Sequence, residues 1–361
     1  MAGKPVISLG QALPFFPPPD SVLAAARAAL DRREVHMYST DPGLVTLRQA
    51  LASRLSSMGI DAGADDLIVT AGANHAFTLA LMTLVDPGDE VVLPAPFFTN
   101  HEMAVRALGA ISIEAPVADR ETFSIRWRDI EPHLTDGTKA VVLCTPSNPS
   151  GATIDPDEGD LLISELQRRG IAVISDETYM QFVYGRPHWS AASSPGWRHH
   201  VAVVGTFSKS FAVMGWRVGF MLADAAICAE AVKIQDAMII CAPMISQLVV
   251  EAAVRDDWHY AESFHPAFLE RRQALIDGLA AIPRVSWRPT SAAFFGFVRV
   301  DGCTDSAALA NALLEEVHLV TIPGSAFGRS GEGHLRLSYG SASVEEVREA
   351  TARLARFFRA H

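Results

Sequence analysis

The stretch TFSKSFAVMGWRVGF, residues 206–220, places Lys209 between two serines directly behind an apolar run. Arg217 follows eight positions later, after a Gly-Trp pair. A lysine is costly to bury, because its ammonium group loses strong hydration. A lysine at the end of a buried strand therefore indicates a chemical task rather than a packing role.

The sequence on both sides of this stretch alternates between two patterns from about residue 65 to 222. Short apolar runs alternate with amphipathic helical segments such as ANHAFTLALMTLV and DLLISELQRRG. The strand candidates are DLIVT, DEVVLPAP, KAVVLC, IAVISD, VAVVGT and WRVGFMLA. This alternation predicts an α/β fold with a mainly parallel sheet that is covered by helices on both faces.

The pattern changes after about residue 255. A long helical segment, about 257–281, precedes the strand candidates RVSWR, FFGFVRV and HLRLSY, which predicts a smaller α+β domain. We therefore expect a large domain at 35–255 and a small C-terminal domain at 256–361. Residues 1–34 are predicted to be a proline-rich arm and a helix, Ser21–Arg33, that pack with the small domain.

Composition restricts the class of protein. The chain has 361 residues and a net charge of −11, which argues against a nucleic-acid-binding face. Its four cysteines form no CxxC pair, so they are interpreted as buried thiols, and no metal site is expected. The sequence has no secretory signal pattern and no run near the ~20 apolar residues of a membrane span, which predicts a cytoplasmic protein without membrane contact.

Polar or aromatic groups follow each predicted parallel strand, where ligands bind in α/β sheets. In chain order these groups are Gly72-Ala73-Asn74, Phe98 beside Phe97, Asn148, Asp176 with Tyr179, and Thr206, Ser208 and Lys209. Each alone has an ordinary explanation, such as a helix cap, a turn residue or a core aromatic side chain. Their coincidence at every strand end indicates one binding site.

Pyridoxal 5′-phosphate needs this set of groups. Its aldehyde bonds to a lysine, and its ring nitrogen needs a carboxylate to remain protonated. Its phosphate is bound by backbone N–H groups at a helix N-terminus, by hydroxyls and by an arginine. Its ring face favours an aromatic cover. The sequence therefore predicts this cofactor.

Three motifs, TFSKSFAVMGWRVG, DETY and NPSG, resemble those of the pyridoxal-phosphate-dependent aminotransferases of class I and II, which have fold type I. The similarity extends from ISLGQALPFFPPP to HLRLSYG, nearly the full chain. The runs PFFTNHEMA and IQDAMIICAPMISQ look more like the branch that acts on methionine and aromatic amino acids. The resemblance implies a seven-stranded, mainly parallel sheet and a homodimer with shared active sites.

The resemblance also implies roles for individual residues. Lys209 forms the Schiff base and then moves the substrate proton, and Asp176 pairs with the ring nitrogen. Asn148 and Tyr179 donate to the 3′-oxygen, and Phe98 stacks on the ring. The residues implied to bind the phosphate are Ala73, Asn74, Thr206, Ser208, Arg217 and, from the neighbouring subunit, Tyr38.

The substrate is implied to bind beside the cofactor. Arg336 would bind the α-carboxylate with two hydrogen bonds, with Gly10 and Asn148 beside it. A planar guanidinium suits a carboxylate better than a lysine does. Phe16 is expected to line the side-chain pocket, with Leu13, Phe15, Phe294, Ala292 and Met244 as neighbours. The sequence departs from the family at Asn74, where lysine or glutamine is common, and at Phe98, where tryptophan or tyrosine is common.

The expected reaction is the transfer of an amino group from an L-amino acid to a 2-oxo acid. A lyase or a cyclase with the same cofactor remains an alternative, because it would keep Lys209, Asp176 and Arg336. A non-catalytic ligand sensor is disfavoured. GQALPFFPPP, CAPMISQ and TSAAFFGF contain no second arginine, which favours apolar, aromatic or methionine side chains.

Overall fold

A seven-stranded sheet forms the centre of residues 5–361, the part of the chain that the computed structural model describes. The strands in chain order are β1 (Ile7–Ser8), β2 (Leu67–Thr70), β3 (Glu90–Ala95), β4 (Ile111–Pro116), β5 (Thr138–Cys144), β6 (Ala172–Asp176), β7 (Val201–Thr206), β8 (Gly219–Leu222), β9 (Val285–Ser286), β10 (Phe295–Val300), β11 (Leu319–Val320), β12 (Ile322–Pro323) and β13 (His334–Ser338).

Twelve α-helices are found among these residues. In chain order they are α1 (Asp20–Ala29), α2 (Val45–Ser57), α3 (Ala73–Leu84), α4 (Thr99–Leu108), α5 (Trp127–Ile130), α6 (Pro156–Arg168), α7 (Phe207–Ser210), α8 (Ala225–Ile239), α9 (Met244–Asp256), α10 (His265–Ala280), α11 (Ser306–Val317) and α12 (Val344–Ala360).

The large sheet has the order β2-β8-β7-β6-β5-β3-β4. Its strands are parallel except β8, which pairs antiparallel with β2 and with β7. Alternate residues of β7 enter opposite cores: Val201 and Val203 join one apolar cluster, and Ala202 and Val204 join another. Burial on both faces explains why the strands appear as continuous apolar runs. The predicted α/β class with a mainly parallel seven-stranded sheet is confirmed.

A smaller antiparallel sheet, β12-β13-β10-β9, is formed by the C-terminal part of the chain. The N-terminal arm joins it, because β1 pairs in parallel with β11 and the Ser338 amide donates to the Leu9 carbonyl (2.7 Å). The helix α1 does not pack with the small sheet as the arm does. Its buried Val22 and Ala26 belong to the apolar cluster on one face of the large sheet, where α1 packs against α9. The expected packing of this helix with the small domain is therefore not observed.

Two helix boundaries differ from the sequence prediction. The first helix ends at Ala29 and not near Arg33, because the following residues are exposed and offer no apolar face to bury. The segment predicted as one helix at about 257–281 begins with a 3₁₀ turn, Tyr260–Phe264, and α10 starts at His265. Pro266 follows His265, and a proline in the first turn favours a helix start.

Candidate active site

A cavity of about 720 Å³ lies at the carboxyl ends of β5, β6 and β7. Its walls come from the N-terminal arm, from the strand ends of the large sheet and from β13. Most of the residues predicted from the sequence line it: Gly10, Ala73, Asn74, Phe98, Asn148, Asp176, Tyr179, Thr206, Ser208, Lys209, Arg217 and Arg336. The parallel order of β5, β6 and β7 brings their carboxyl ends to one edge, and the N-terminal arm and β13 add Gly10 and Arg336, which are 326 positions apart and in contact.

Lys209 lies on the single-turn helix α7, and its Nζ donates a hydrogen bond to the Ala12 carbonyl (2.7 Å). Burial, together with the positive charges of Arg217 and Arg336, lowers the pKa of Lys209 to about 8. The amine is therefore neutral in a large fraction of molecules near pH 8. A neutral amine is the form that bonds an aldehyde or accepts a proton.

The first turn of α3 and the guanidinium of Arg217 form one corner of the cavity. Gly72 caps α3 with φ +87°, and a Cβ at this position would lie 2.5 Å from Nη2 of Arg217. The arginine itself has φ +51°, and its Nη1 donates to the Met214 carbonyl (2.8 Å). Because only glycine leaves this space open, the guanidinium can lie directly against the N-terminus of the helix.

Two hydroxyls lie at the same corner. The Thr206 hydroxyl accepts a hydrogen bond from the Ser208 amide (3.1 Å), which caps α7, and both side chains line the cavity. A helix N-terminus, two hydroxyls and a guanidinium are donors that suit a phosphate group. These residues fit the phosphate end of pyridoxal phosphate.

Asp176 ends β6 and lines the same cavity. Its carboxylate contacts Nε2 of His101 (2.9 Å) and accepts from the Thr178 amide (3.0 Å). Burial raises the pKa of Asp176, but the His101 and Thr178 hydrogen bonds outweigh this effect and lower the pKa overall. The residue therefore stays ionised, and a buried carboxylate of this kind suits a protonated pyridine nitrogen.

His101 was not among the site residues predicted from the sequence. This histidine is buried on α4 and stacks on Phe77, with ring centres 4.3 Å apart. It lies one helical turn after Phe98. A polar side chain on the buried face of an amphipathic helix is the sequence signal that could have identified it as a site residue. The cavity lining also includes residues that were not singled out as site residues: Gln11, Ala12, Asn100, Cys144, Thr178 and Met214.

Arg336 and Tyr179 complete the wall nearest the small sheet. Nη1 of Arg336 donates to Oδ1 of Asn148 (2.7 Å), and Nη2 donates to the Gly10 carbonyl. Burial raises the pKa of the Tyr179 hydroxyl, although Arg336 opposes this effect. The tyrosine therefore stays protonated and can donate a hydrogen bond to a ligand oxygen.

Phe16 and Tyr38 do not line this cavity. Phe16 is 4% exposed and stacks on Phe264, with ring centres 4.3 Å apart, so its expected place in the side-chain pocket is not observed. Phe16 instead packs in the apolar cluster that includes the strands of the small sheet. Tyr38 is 75% exposed on the surface of the same chain. Of the expected pocket neighbours, Leu13 lines the cavity and the following residues do not: Phe15, Ala292, Phe294 and Met244.

Residues 5–361 contain neither a cluster of metal ligands nor a helix that could span a membrane. No group of three or more histidine, cysteine, aspartate or glutamate side chains in this range is placed to bind a metal ion. No helix in the same range is both long and apolar enough to cross a membrane.

The chain is similar to known aminotransferases over nearly its whole length. The family profile of aminotransferase class I and II matches residues 4–354. An aspartate aminotransferase of Pyrococcus abyssi is 32% identical over 99% of this chain and 92% of its own length. An aromatic-amino-acid aminotransferase of Thermococcus litoralis is 31% identical over 97% of this chain and 90% of its own length. The crystal structure of an aromatic aminotransferase from Pyrococcus horikoshii superposes with a TM-score of 0.93 at 32% identity, covering 98% and 96% of the two chains.

Proposed function

The chain belongs to the aminotransferases of class I and II, and we propose that the cavity around Lys209 is its active site. It is a pyridoxal-phosphate-dependent enzyme that moves an amino group from an amino acid to a 2-oxo acid. The observation that carries the assignment of the site is the lowered pKa of Lys209, about 8, in a cavity that also holds donors for a phosphate and a carboxylate for a ring nitrogen.

The residues that line the cavity have separate tasks. When bound, pyridoxal phosphate supplies an electron sink for the negative charge that develops at the substrate Cα. Asp176 provides the negative charge that keeps a facing ring nitrogen protonated, and His101 holds that carboxylate in place. The residues that would hold the phosphate are Ala73, Asn74, Thr206, Ser208 and Arg217, and Phe98 would cover the ring.

Lys209 carries the proton transfer. Its Nζ, neutral in a large fraction of molecules near pH 8, takes the proton from the substrate Cα and later returns a proton as a general acid. Arg336 binds the substrate α-carboxylate through its planar guanidinium. The alternative of a lyase or cyclase is not favoured, because the relatives that cover nearly the whole chain are named aminotransferases.

The cavity wall supports an apolar donor. The lysine and arginine side chains that line it among residues 5–361 are Lys209, Arg217 and Arg336. Each of these already has a partner group on the cofactor or on the α-carboxylate. A second carboxylate in the side chain of the substrate would lack a cationic partner from this chain, at a cost of several kcal/mol.

Phenylalanine, methionine or tryptophan is therefore expected to exceed aspartate as amino donor by about tenfold or more in kcat/KM. The measurement is a donor panel with one 2-oxo acid and the purified holoenzyme. Aspartate or glutamate ahead by tenfold would contradict this preference. Omitting the 2-oxo acid is the control for the reaction class, since a transaminase then stops after one turnover and a lyase continues.

A homodimer is the second part of the proposal. Tyr38 belongs to a segment with further exposed apolar side chains, Leu30, Met37 and Val45, which are suited to contact with another protein. Gln247 holds this segment, accepting from the Leu44 amide (2.7 Å) and donating to the Ser39 hydroxyl (2.9 Å). We propose that Tyr38 reaches the phosphate site of the partner subunit.

Mixing inactive Lys209→Ala with inactive Tyr38→Ala is expected to restore activity through hybrid dimers. Random exchange makes half of the dimers hybrid with one intact site of two, so about one quarter of the wild-type activity should return. Lys209→Ala mixed with Asp176→Asn is the matched control, because both residues belong to the same site of one chain, and no activity should return. A fully active monomer in sedimentation would refute the shared site.

A further inference from the structure

We infer that Phe327 is a positioning residue for the substrate carboxylate, because its ring holds the guanidinium of Arg336. This inference rests on the proposed role of Arg336. The guanidinium carbon lies over two aromatic rings, 5.2 Å from the ring centre of Phe327 and 5.2 Å from that of Phe295. A cation within about 6 Å of a ring face is attracted by the negative potential of that face.

The hydrogen bonds of Arg336 alone leave it incompletely held. Nη1 and Nη2 contact Asn148 and Gly10, whereas the buried Nε has no hydrogen-bond partner among residues 5–361. Both partners, the Asn148 side-chain oxygen and the Gly10 carbonyl, are acceptors. An incoming carboxylate would replace them at the N–H groups of Arg336 or share those groups with them. The aromatic contacts do not compete with a carboxylate for N–H groups, so they keep the guanidinium oriented while its hydrogen bonds change.

Phe327 differs from Phe295 in where its backbone is anchored. Phe295 belongs to β10, which pairs with β13, the strand of Arg336, in the small sheet. Phe327 ends a 3₁₀ turn, Gly324–Phe327, outside the strands, and its carbonyl accepts a hydrogen bond from the Phe97 amide (3.1 Å).

A second hydrogen bond anchors the same turn. The Thr99 hydroxyl donates to the carbonyl of Ala326, the residue before Phe327. Phe97 and Thr99 flank Phe98, which is proposed to cover the cofactor ring. The turn therefore connects Arg336 with residues 97–99, which follow β3 and include Phe98.

A purely structural role is the alternative explanation. Phe327 is 2% exposed and belongs to a small apolar cluster with Phe123, Ala152 and Phe297. Any truncation in this cluster lowers stability, so loss of activity alone does not separate the two explanations. Phe123 is the matched control, because it is buried in the same cluster and its ring is not among those that lie against Arg336.

The test is calorimetry on the holoenzyme with two unreactive ligands, 3-phenylpropionate and its uncharged amide. The wild type is expected to prefer the carboxylate. Phe327→Leu should reduce this preference about tenfold, through weaker carboxylate binding, while the affinity for the amide stays unchanged. Phe123→Leu should leave the preference as in the wild type. In steady-state kinetics, Phe327→Leu should raise the KM for the amino acid more than it lowers kcat.

Two results would overturn the inference. Unchanged preference in Phe327→Leu, or equal weakening of both ligands, would show that Phe327 only fills space. A wild type without preference for the carboxylate would instead refute the proposed role of Arg336, so the two failures are distinguishable. If Phe327→Leu does not fold, Phe327→Met repeats the test, because methionine fills a similar volume without a ring face.

Discussion

Lys209→Ala is expected to eliminate transamination while leaving the fold and the phosphate corner intact. The loss of kcat should exceed the roughly 10²–10⁴-fold that general acid–base catalysis contributes, because the covalent attachment of the cofactor is lost together with the proton carrier. No other lysine lines the cavity among residues 5–361, so no neighbouring amine can take over. The measurement is the single-turnover rate with an excess of phenylalanine.

The attachment site provides an independent check. Borohydride treatment of the holoenzyme should leave the cofactor bonded to Lys209, and peptide mass spectrometry should find it there. Lys233→Ala is the control variant, since this lysine is exposed on α8 and pairs with Glu230 (2.7 Å). It should keep wild-type rates and the same adduct. An adduct on another lysine would contradict the assignment of Lys209.

Asp176→Asn is expected to slow each half-reaction by several orders of magnitude with only a modest loss of bound cofactor. The amide keeps the shape of the side chain and removes the charge that holds a proton on the ring nitrogen. Without that proton the ring is a poorer electron sink. Stopped-flow absorbance of the half-reaction with an amino acid measures the rate.

Glu177→Gln is the matched control for this variant. Glu177 is the next carboxylate in the chain and is also buried, but it pairs with His188 (2.9 Å) and does not line the cavity. Its substitution should leave the half-reaction rate near that of the wild type. A near-normal rate in Asp176→Asn would count against the role given to this carboxylate.

The residues at strand ends were predictable from the sequence because their position depends on local pattern. An apolar run ends, a polar residue follows, and parallel pairing places all such ends at one edge, as for Asp176 and Thr206. His101 was not predictable in this way. Its contact with Asp176 joins residues 75 positions apart and depends on how α4 lies across the sheet.

Phe16 shows the opposite failure. Its sequence neighbour Leu13 lines the cavity, but Phe16 packs against Phe264 and Tyr260, which are distant in sequence. Apolar side chains near a ligand and in a core have the same composition, so the pattern does not separate them. Tertiary packing decides whether such a side chain lines the cavity or joins the core. In the N-terminal arm, the chain passes from the cavity at Leu13 to the core at Phe16 within three residues.

The lowered pKa of Lys209 also affects the free energy of folding of the cofactor-free chain. An unfolded lysine keeps its ordinary pKa of 10.5, whereas the folded chain releases the proton near 8. Between these values the unfolded chain binds more protons, so stability rises with pH, and below pH 8 the whole penalty remains, on the order of 3 kcal/mol. The residue that gives the enzyme its activity therefore weakens the empty fold. Bonding of its amine to the cofactor removes the buried ammonium and returns that stability, so the holoenzyme should resist heat better than the apoenzyme even beyond the contacts that the cofactor makes.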